Sequence, residues 1–223
     1  MSNEKIENFL LAAILAEPSA ASGLKLERVS LQPGPLAAHA LERGACVYFP
    51  IDALLAQGAT QAQQAVATVV GWHGCAESSA AVGEFVQTAV MVPGQAYRVD
   101  MMPVQQNPAL HAAWLWGTAA ATQSLIRQMA QWSFCAQHHS PRQRLCSWLL
   151  HCVAQSPRSP LKINLTALPW AIRQMLDPVQ WPPSDPPSTH GFELQKGYLQ
   201  VLSPPQLAAG ACACHHALAP AKA

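Results

Sequence analysis

Charge is scarce in this chain: only 11% of its 223 residues are Asp, Glu, Lys or Arg, while 50% are hydrophobic. That balance excludes a solvated, disordered polymer and leaves ample material for a buried core. Uninterrupted apolar runs of about 18 residues are also missing, which argues against a membrane-spanning helix. The opening MSNEKIENFLLAAILAEPSAASG has an apolar stretch but no basic leader, so a short amphipathic helix is expected there rather than a secretory signal. The seven cysteines, Cys46, Cys75, Cys135, Cys146, Cys152, Cys212 and Cys214, are odd in number and scattered among apolar residues. They form no disulfide framework, and a reducing cytoplasm is the expected setting. No acid–base pair, activated nucleophile or Gly-rich phosphate loop stands out, so neither enzymatic activity nor a resident cofactor is expected.

What is present is unevenly distributed. Residues 1–100 carry five Lys/Arg against nine Asp/Glu, a balance of −4, and residues 101–223 carry eight against three, a balance of +5. A basic C-terminal half is a pointer to nucleic acid on that side. From residue 26 to 106, short β-branched and aromatic runs (CVYFP, AVATVVGWHG, EFVQTAVMVPG, QAYRVDMMPV) are broken by Gly and Pro, the pattern of a small sandwich or barrel. AVMVPGQAYRV reads as a hairpin around Pro93-Gly94. From Ala109 to about His138 there is no proline, and Leu110, Trp114, Gly117, Ala121, Leu125, Met129 and Trp132 recur every three or four residues. A helix of that length, about 45 Å at 1.5 Å per residue, is predicted. Its stripe suits either a core helix or a dimer seam, and the length favours the dimer.

His139-Ser140-Pro141 closes this helix and PRQRLCSWLLHCVAQ opens another. SPRSPLKIN reads as a loop, LTALPWAIRQMLD as a helix with Thr166 as N-cap, ELQKGYLQVLS as two strands around Lys196-Gly197, and PPQLAAGACACHHAL as a short terminal helix.

Taken in order, CVYFP, VGWHGC, VMVPGQAYRVD, RQMAQWSFCAQHHSPRQRLCSWLL, LTALPWAIRQML and KGYLQVLSPPQLAAGACACH resemble successive segments of the Crp/Fnr transcription regulators across nearly the whole chain. The resemblance implies an α+β fold: a β-roll sensor-like domain over 1–108, a dimerisation helix over 109–139 and a winged helix-turn-helix-like domain over 140–223. It also implies DNA and a second copy as partners. The DNA-facing candidates are Thr166, Arg173, Gln174, Gln180 and Lys196, and the dimer candidates are Leu110, Trp114, Ala121, Leu125, Met129 and Trp132.

Two departures from the family pattern carry consequences. Nucleotide-binding members hold the cyclic phosphate with an arginine of the β-roll, whereas here no Lys or Arg lies between Arg43 and Arg98, and the corresponding stretch, GCAESSAAVGEF, brings Glu77 and Glu84. Cyclic-nucleotide sensing is therefore not expected. Where the family enters its recognition helix, this chain has Pro178, Pro182, Pro183, Pro186 and Pro187. An interior proline costs a helix about 3 kcal/mol or more, so an irregular segment is expected.

The remaining candidates each have a plainer reading beside the functional one. Cys212, Cys214, His215 and His216 could present soft ligands to zinc or copper, but Cys-x-Cys lacks a second ligand pair at a standard spacing, so no metal is expected. Cys135 with His138 and His139 reads as a junction rather than a metal or redox sensor. Arg142 and Arg144 read as junction residues rather than phosphate ligands, and Arg98 as the partner of Asp100 or Glu84. The function expected is a DNA-binding regulator. The rivals are a paralogue that dimerises or binds an effector without reading DNA, and a metal or redox sensor.

Overall fold

The computed structural model describes residues 6–18, 23–36, 45–59, 67–78 and 86–218. Helix α1 (Phe9–Leu15) leads into strands β1 (Glu27–Leu31), β2 (Gly34–Pro35), β3 (Cys46–Pro50), β4 (Leu54–Ala59), β5 (Thr68–Val70), β6 (Ala76–Ser78), β7 (Val86–Val92) and β8 (Gly94–Asp100). They form two antiparallel four-stranded sheets, ordered β1-β8-β3-β6 and β2-β7-β4-β5. Helices α2 (Met101–Gln106), α3 (Pro108–His138) and α4 (Pro141–Ala154) follow. The last part holds β9 (Lys162–Asn164), α5 (Trp170–Gln174), β10 (Phe192–Gln195), β11 (Tyr198–Val201) and α6 (Pro204–Gly210). Its three strands pair antiparallel in the order β10-β11-β9, a small wing-like sheet turning at Gly197. A β-sandwich, a long helix and a helix-plus-wing unit in this order make the α+β architecture that the sequence implied.

The helix ends follow from local chemistry. Asn8 caps α1 by accepting from the Leu11 N–H at 2.9 Å, while its amide donates to the Pro50 and Gly74 carbonyls at 2.8 and 3.1 Å. Asn107 accepts from the Ala109 and Leu110 N–H groups and Pro108 occupies the first turn of α3, where its missing N–H costs nothing. At the junction, Ser140 and Gln143 make a reciprocal capping box for α4.

Several sequence expectations change in the fold. The hairpin at Pro93-Gly94 is instead a corner: β7 pairs with β2 and β4, β8 with β1 and β3, so the chain passes from one sheet to the other. The reason is packing at Gly94, where a Cβ would overlap Asp52 and Ala53, and the Asp52 carboxylate accepts from the Gln95 N–H at 2.6 Å. MMPVQQ is helical rather than the tail of a strand, and KIN, read as loop, is strand β9. Thr166 does not cap a helix. Asn164 caps a single 3-10 turn over Leu165–Ala167, and Pro169 forces Leu168 into extended backbone (ψ 135°), so α5 starts only at Trp170. The tail is α6 followed by a 3-10 turn, Ala213–Leu218, not one helix.

The sandwich and the C-terminal part share a core. Leu54, Ala56, Val69, Met91 and Val92 of the sandwich pack in one buried cluster with Trp148, Leu149, Ile163, Phe192 and Leu199. Polar ties reinforce it. Gln128 of α3 accepts from the Val69 N–H at 2.9 Å and donates to the Val69 carbonyl at 3.2 Å, both buried. Trp148 donates to the Ala67 carbonyl at 3.3 Å, and Arg158 pairs with Asp52 at 2.5 Å. Gly71 lies so close to the end of α4 that a Cβ would overlap the Gln155 carbonyl.

Candidate functional site

The six residues read as a dimer seam on α3 do not share one environment. Leu110, Trp114, Ala121 and Trp132 are buried within the chain itself, Leu125 is half-buried against the sandwich, and only Met129 is exposed. Trp114 meets Phe49 edge-on at 5.6 Å, and Gly117 leaves room for Ile14 of α1. That stripe therefore faces inward, because the sandwich, α1 and α4 cover it along its length. The exposed side carries a second row, apolar at Leu115, Ala119, Ile126 and Met129 and polar at Thr122 and Ser133, spaced alternately four and three, all exposed. Trp116, 84% exposed, and Phe134 flank it.

The DNA-facing candidates stand apart from one another. Thr166 is exposed on its 3-10 turn, its N–H and hydroxyl both donating to the Asn164 side chain. Arg173 turns back to donate to the Thr166 and Leu168 carbonyls at 3.3 and 3.0 Å. Gln174 ends α5, and Lys196 is exposed in the wing turn. Gln180 sits beyond α5, where its carbonyl accepts from Arg142.

Between α5 and β10 the proline-rich segment forms two 3-10 turns, Pro178–Gln180 and Pro187–His190. It is fastened to the start of α4. Arg142 pairs with Asp185, donates to the Gln180 carbonyl and lies 4.8 Å over the Trp181 ring. His190 meets the other Asp185 oxygen at 2.8 Å. The Arg142 hydrogen bonds first, then His190, hold the Asp185 carboxyl down at about 2. Sequence reading placed Arg142 at the junction but missed Asp185, whose partner is 43 residues away.

In the sandwich, a small cleft against α3 is lined by Val69, Val70, His73, Gly74, Cys75, Ala121, Ser124, Leu125, Gln128 and Gln155. None is Lys or Arg, burial lowers the His73 pKa, and burial pushes the Cys75 thiol up to about 12. Arg98 is buried and paired with Glu27 at 2.8 Å and Asp100 at 3.3 Å. Glu84, Arg43 and residues 79–85 of GCAESSAAVGEF lie outside the described residues. Cyclic AMP is accordingly expected not to bind, because its phosphate would be desolvated without a cation. Titration calorimetry finding a site of about −8 kcal/mol or tighter would overturn this.

At the end of α3 a group of donors converges that the sequence held in two separate motifs. Cys135, His139, Cys212 and Cys214 place their ligand atoms within 4.8 Å of one another. The Cys135 and Cys212 sulfurs are 3.8 Å apart, and His139 Nε2 lies 3.3 Å from the Cys214 sulfur. His215 and His216 stay outside this group: His215 Nδ1 is 2.8 Å from the Cys212 carbonyl and its ring lies 3.9 Å from that of His216. Chiefly through burial, the Cys135 thiol is pushed up to about 12.

Among the described residues, no helix is long and apolar enough to cross a membrane. No protein-family model matches the chain, and no curated protein is significantly similar to it. Solved structures similar to it include transcriptional regulators described as of the Crp/Fnr family. A mutant of CooA from Carboxydothermus hydrogenoformans is 12% identical over 89% of this chain and 94% of that one, with a TM-score of 0.49. FixK2 from Bradyrhizobium japonicum is 9% identical over 85% and 99%, TM-score 0.48. A CRP/FNR-family transcriptional regulator from Thermus thermophilus is 15% identical over 83% and 98%, TM-score 0.43.

Proposed function

We propose that this chain is a homodimeric transcription regulator of Crp/Fnr type that meets DNA through phosphate contacts and reads no base sequence with a recognition helix. The observation that supports this is the segment between α5 and β10: two 3-10 turns bolted to α4 through Arg142, where direct readout needs a row of side chains presented by a regular helix. The second copy docks on the outward row of α3, whose alternating spacing of four and three suits a two-helix seam. A second reading, a module that dimerises without touching DNA, is favoured by the fate of the basic side chains. Arg142 and Arg158 are engaged by Asp185 and Asp52, and Arg173 by backbone carbonyls, leaving, among the described residues of this part, Lys162 and Lys196 exposed and Arg144 half-buried.

Binding of the pure protein to its own upstream DNA separates the two. The regulator reading expects weak binding that competitor DNA removes and that falls steeply with salt, since each neutralised phosphate contributes a log–log slope of about −0.9. A footprint on one site that survives competitor would overturn the loss of base readout. Absence of binding at low salt would replace the regulator by the DNA-silent module.

A further inference from the structure

We propose that Cys135, His139, Cys212 and Cys214 form a tetrahedral zinc site that fastens the end of the long helix to the C-terminal tail. Zinc takes four Cys or His donors at about 2.3 Å for sulfur and about 2.0–2.1 Å for nitrogen in closed structural sites. A tetrahedron of those radii sets sulfurs about 3.8 Å apart and nitrogen about 3.5 Å from sulfur. Two of the six edges, 3.8 Å between the Cys135 and Cys212 sulfurs and 3.3 Å from His139 Nε2 to the Cys214 sulfur, are near those values, and all six lie within 4.8 Å, so binding draws the remaining donors in. Three thiols and an imidazole gathered without an ion gain little from one another. Around a divalent cation the same arrangement is a complete coordination shell.

The backbone explains why the donors meet. Cys135 stands on the last turn of α3 and His139 is its C-cap, with the His139 N–H bonded to the Cys135 carbonyl at 3.1 Å, so the two side chains leave the helix end together. Cys212 and Cys214 follow α6, in the turn that packs on α3 and α4. The sequence separations, 77 residues for Cys135–Cys212 and 75 for His139–Cys214, hide the second pair from any local motif.

The surroundings suit an anionic centre. Three thiolates and Zn²⁺ leave a net charge of −1, and Arg144 lies within electrostatic reach of Cys135. The Ser147 hydroxyl is 3.0 Å from the Cys212 sulfur and 2.8 Å from the Gln143 carbonyl, so its one proton turns to the sulfur when that sulfur is a thiolate. The Gln131 amide donates toward the Cys135 sulfur at 3.8 Å. Binding follows the balance Zn²⁺ + three R–SH + His → Zn(RS)₃(His)⁻ + 3 H⁺, with the protons released to solvent.

The test uses the full chain, purified under reductant and under inert gas, with its metal content measured and its metal then exchanged for Co²⁺. The expected results are one zinc per chain and, with Co²⁺, the intense visible bands of a tetrahedral site with thiolate charge transfer in the near ultraviolet. Calorimetry of Zn²⁺ addition in buffers of different ionisation heat reads the released protons. His139→Ala and Cys214→Ser replace half-exposed ligands and are expected to stay folded while binding zinc more than about a hundredfold more weakly, a larger loss than the 10–100-fold of an outer-shell change. His216→Ala serves as the control with wild-type affinity. Folded wild-type protein that takes up no zinc from buffered Zn²⁺, or His139→Ala and Cys214→Ser binding as tightly as wild type, would overturn the proposal. A Cys135–Cys212 disulfide in protein kept under reductant would overturn it as well.

Discussion

Trp114→Glu is expected to unfold the chain, whereas Ile126→Glu is expected to leave it folded and make it monomeric. The two positions lie twelve residues apart on one helix, about 120° apart around its axis, and both are apolar, yet only Trp114 faces the core. Trp114 is 5% exposed, wedged against Phe49 in a cluster with Leu11, Ile14 and Val99. Removing such a side chain costs about 3–5 kcal/mol in packing alone, and a carboxylate at that place adds an unpaired buried charge. Domains of this size hold only about 5–15 kcal/mol in total, so insoluble protein or a collapsed thermal transition is the expected result. Ile126 is 60% exposed. In the proposed dimer it would meet its counterpart, and an uncompensated charge there would cost about 3–5 kcal/mol, a weakening of a hundredfold or more. Analytical ultracentrifugation with circular dichroism reads both outcomes. A wild-type monomer at tens of micromolar, a working range of about −6 kcal/mol, would remove the seam. So would an Ile126→Glu protein that remains dimeric.

Acid is expected to destabilise the fold well before the carboxylates titrate, through His151. Burial lowers its pKa from 6.5 to about 4, the largest cause, with the Leu218 backbone bond working the other way. The ring lies edge-on to Trp132 at 6.1 Å, and its Nε2 is buried with no hydrogen-bond partner among the described residues. In the unfolded chain His151 takes up a proton near its ordinary pKa, whereas in the folded chain it stays neutral down to about 4. Between those values the unfolded state binds more protons, so stability falls as pH falls, and above 6.5 this residue contributes no slope. The difference amounts to about 3 kcal/mol by pH 4, at 1.36 kcal/mol per pKa unit. Denaturant midpoints measured from about pH 7 to about pH 4.5 should drop steadily, and His151→Gln should flatten that drop. A wild-type profile without slope in this range, or a variant profile parallel to it, would refute the assignment. His73, whose pKa burial also lowers, adds slope of the same sign, so His151→Gln is expected to flatten the drop without abolishing it, and Asp185, held at about 2, contributes only at lower pH.

Much of the fold was legible because its causes act over a few residues. The proline-free run from Ala109 marked the long helix, His139-Ser140-Pro141 its end, and Lys196-Gly197 the wing turn, each through chemistry within one turn of chain. The prolines from Pro178 to Pro187 likewise removed a regular helix by themselves, since each lacks an N–H and restricts the residue before it. The missing cation between Arg43 and Arg98 was equally plain.

What the tertiary structure alone decided is which surfaces meet. Leu110, Trp114, Ala121 and Trp132 on one side and Leu115, Ile126 and Met129 on the other are both apolar rows, and only the sandwich packed on the first shows which remains for a partner. The Pro93-Gly94 corner has the composition of a hairpin, and the contact of Gly94 with Asp52 and Ala53 sends the two strands into different sheets. Arg142 found Asp185, and Cys135 with His139 found Cys212 and Cys214, across tens of residues. Periodicity and capping report the conformation of a segment. The partner of a side chain depends on how whole elements pack, which no window of sequence contains.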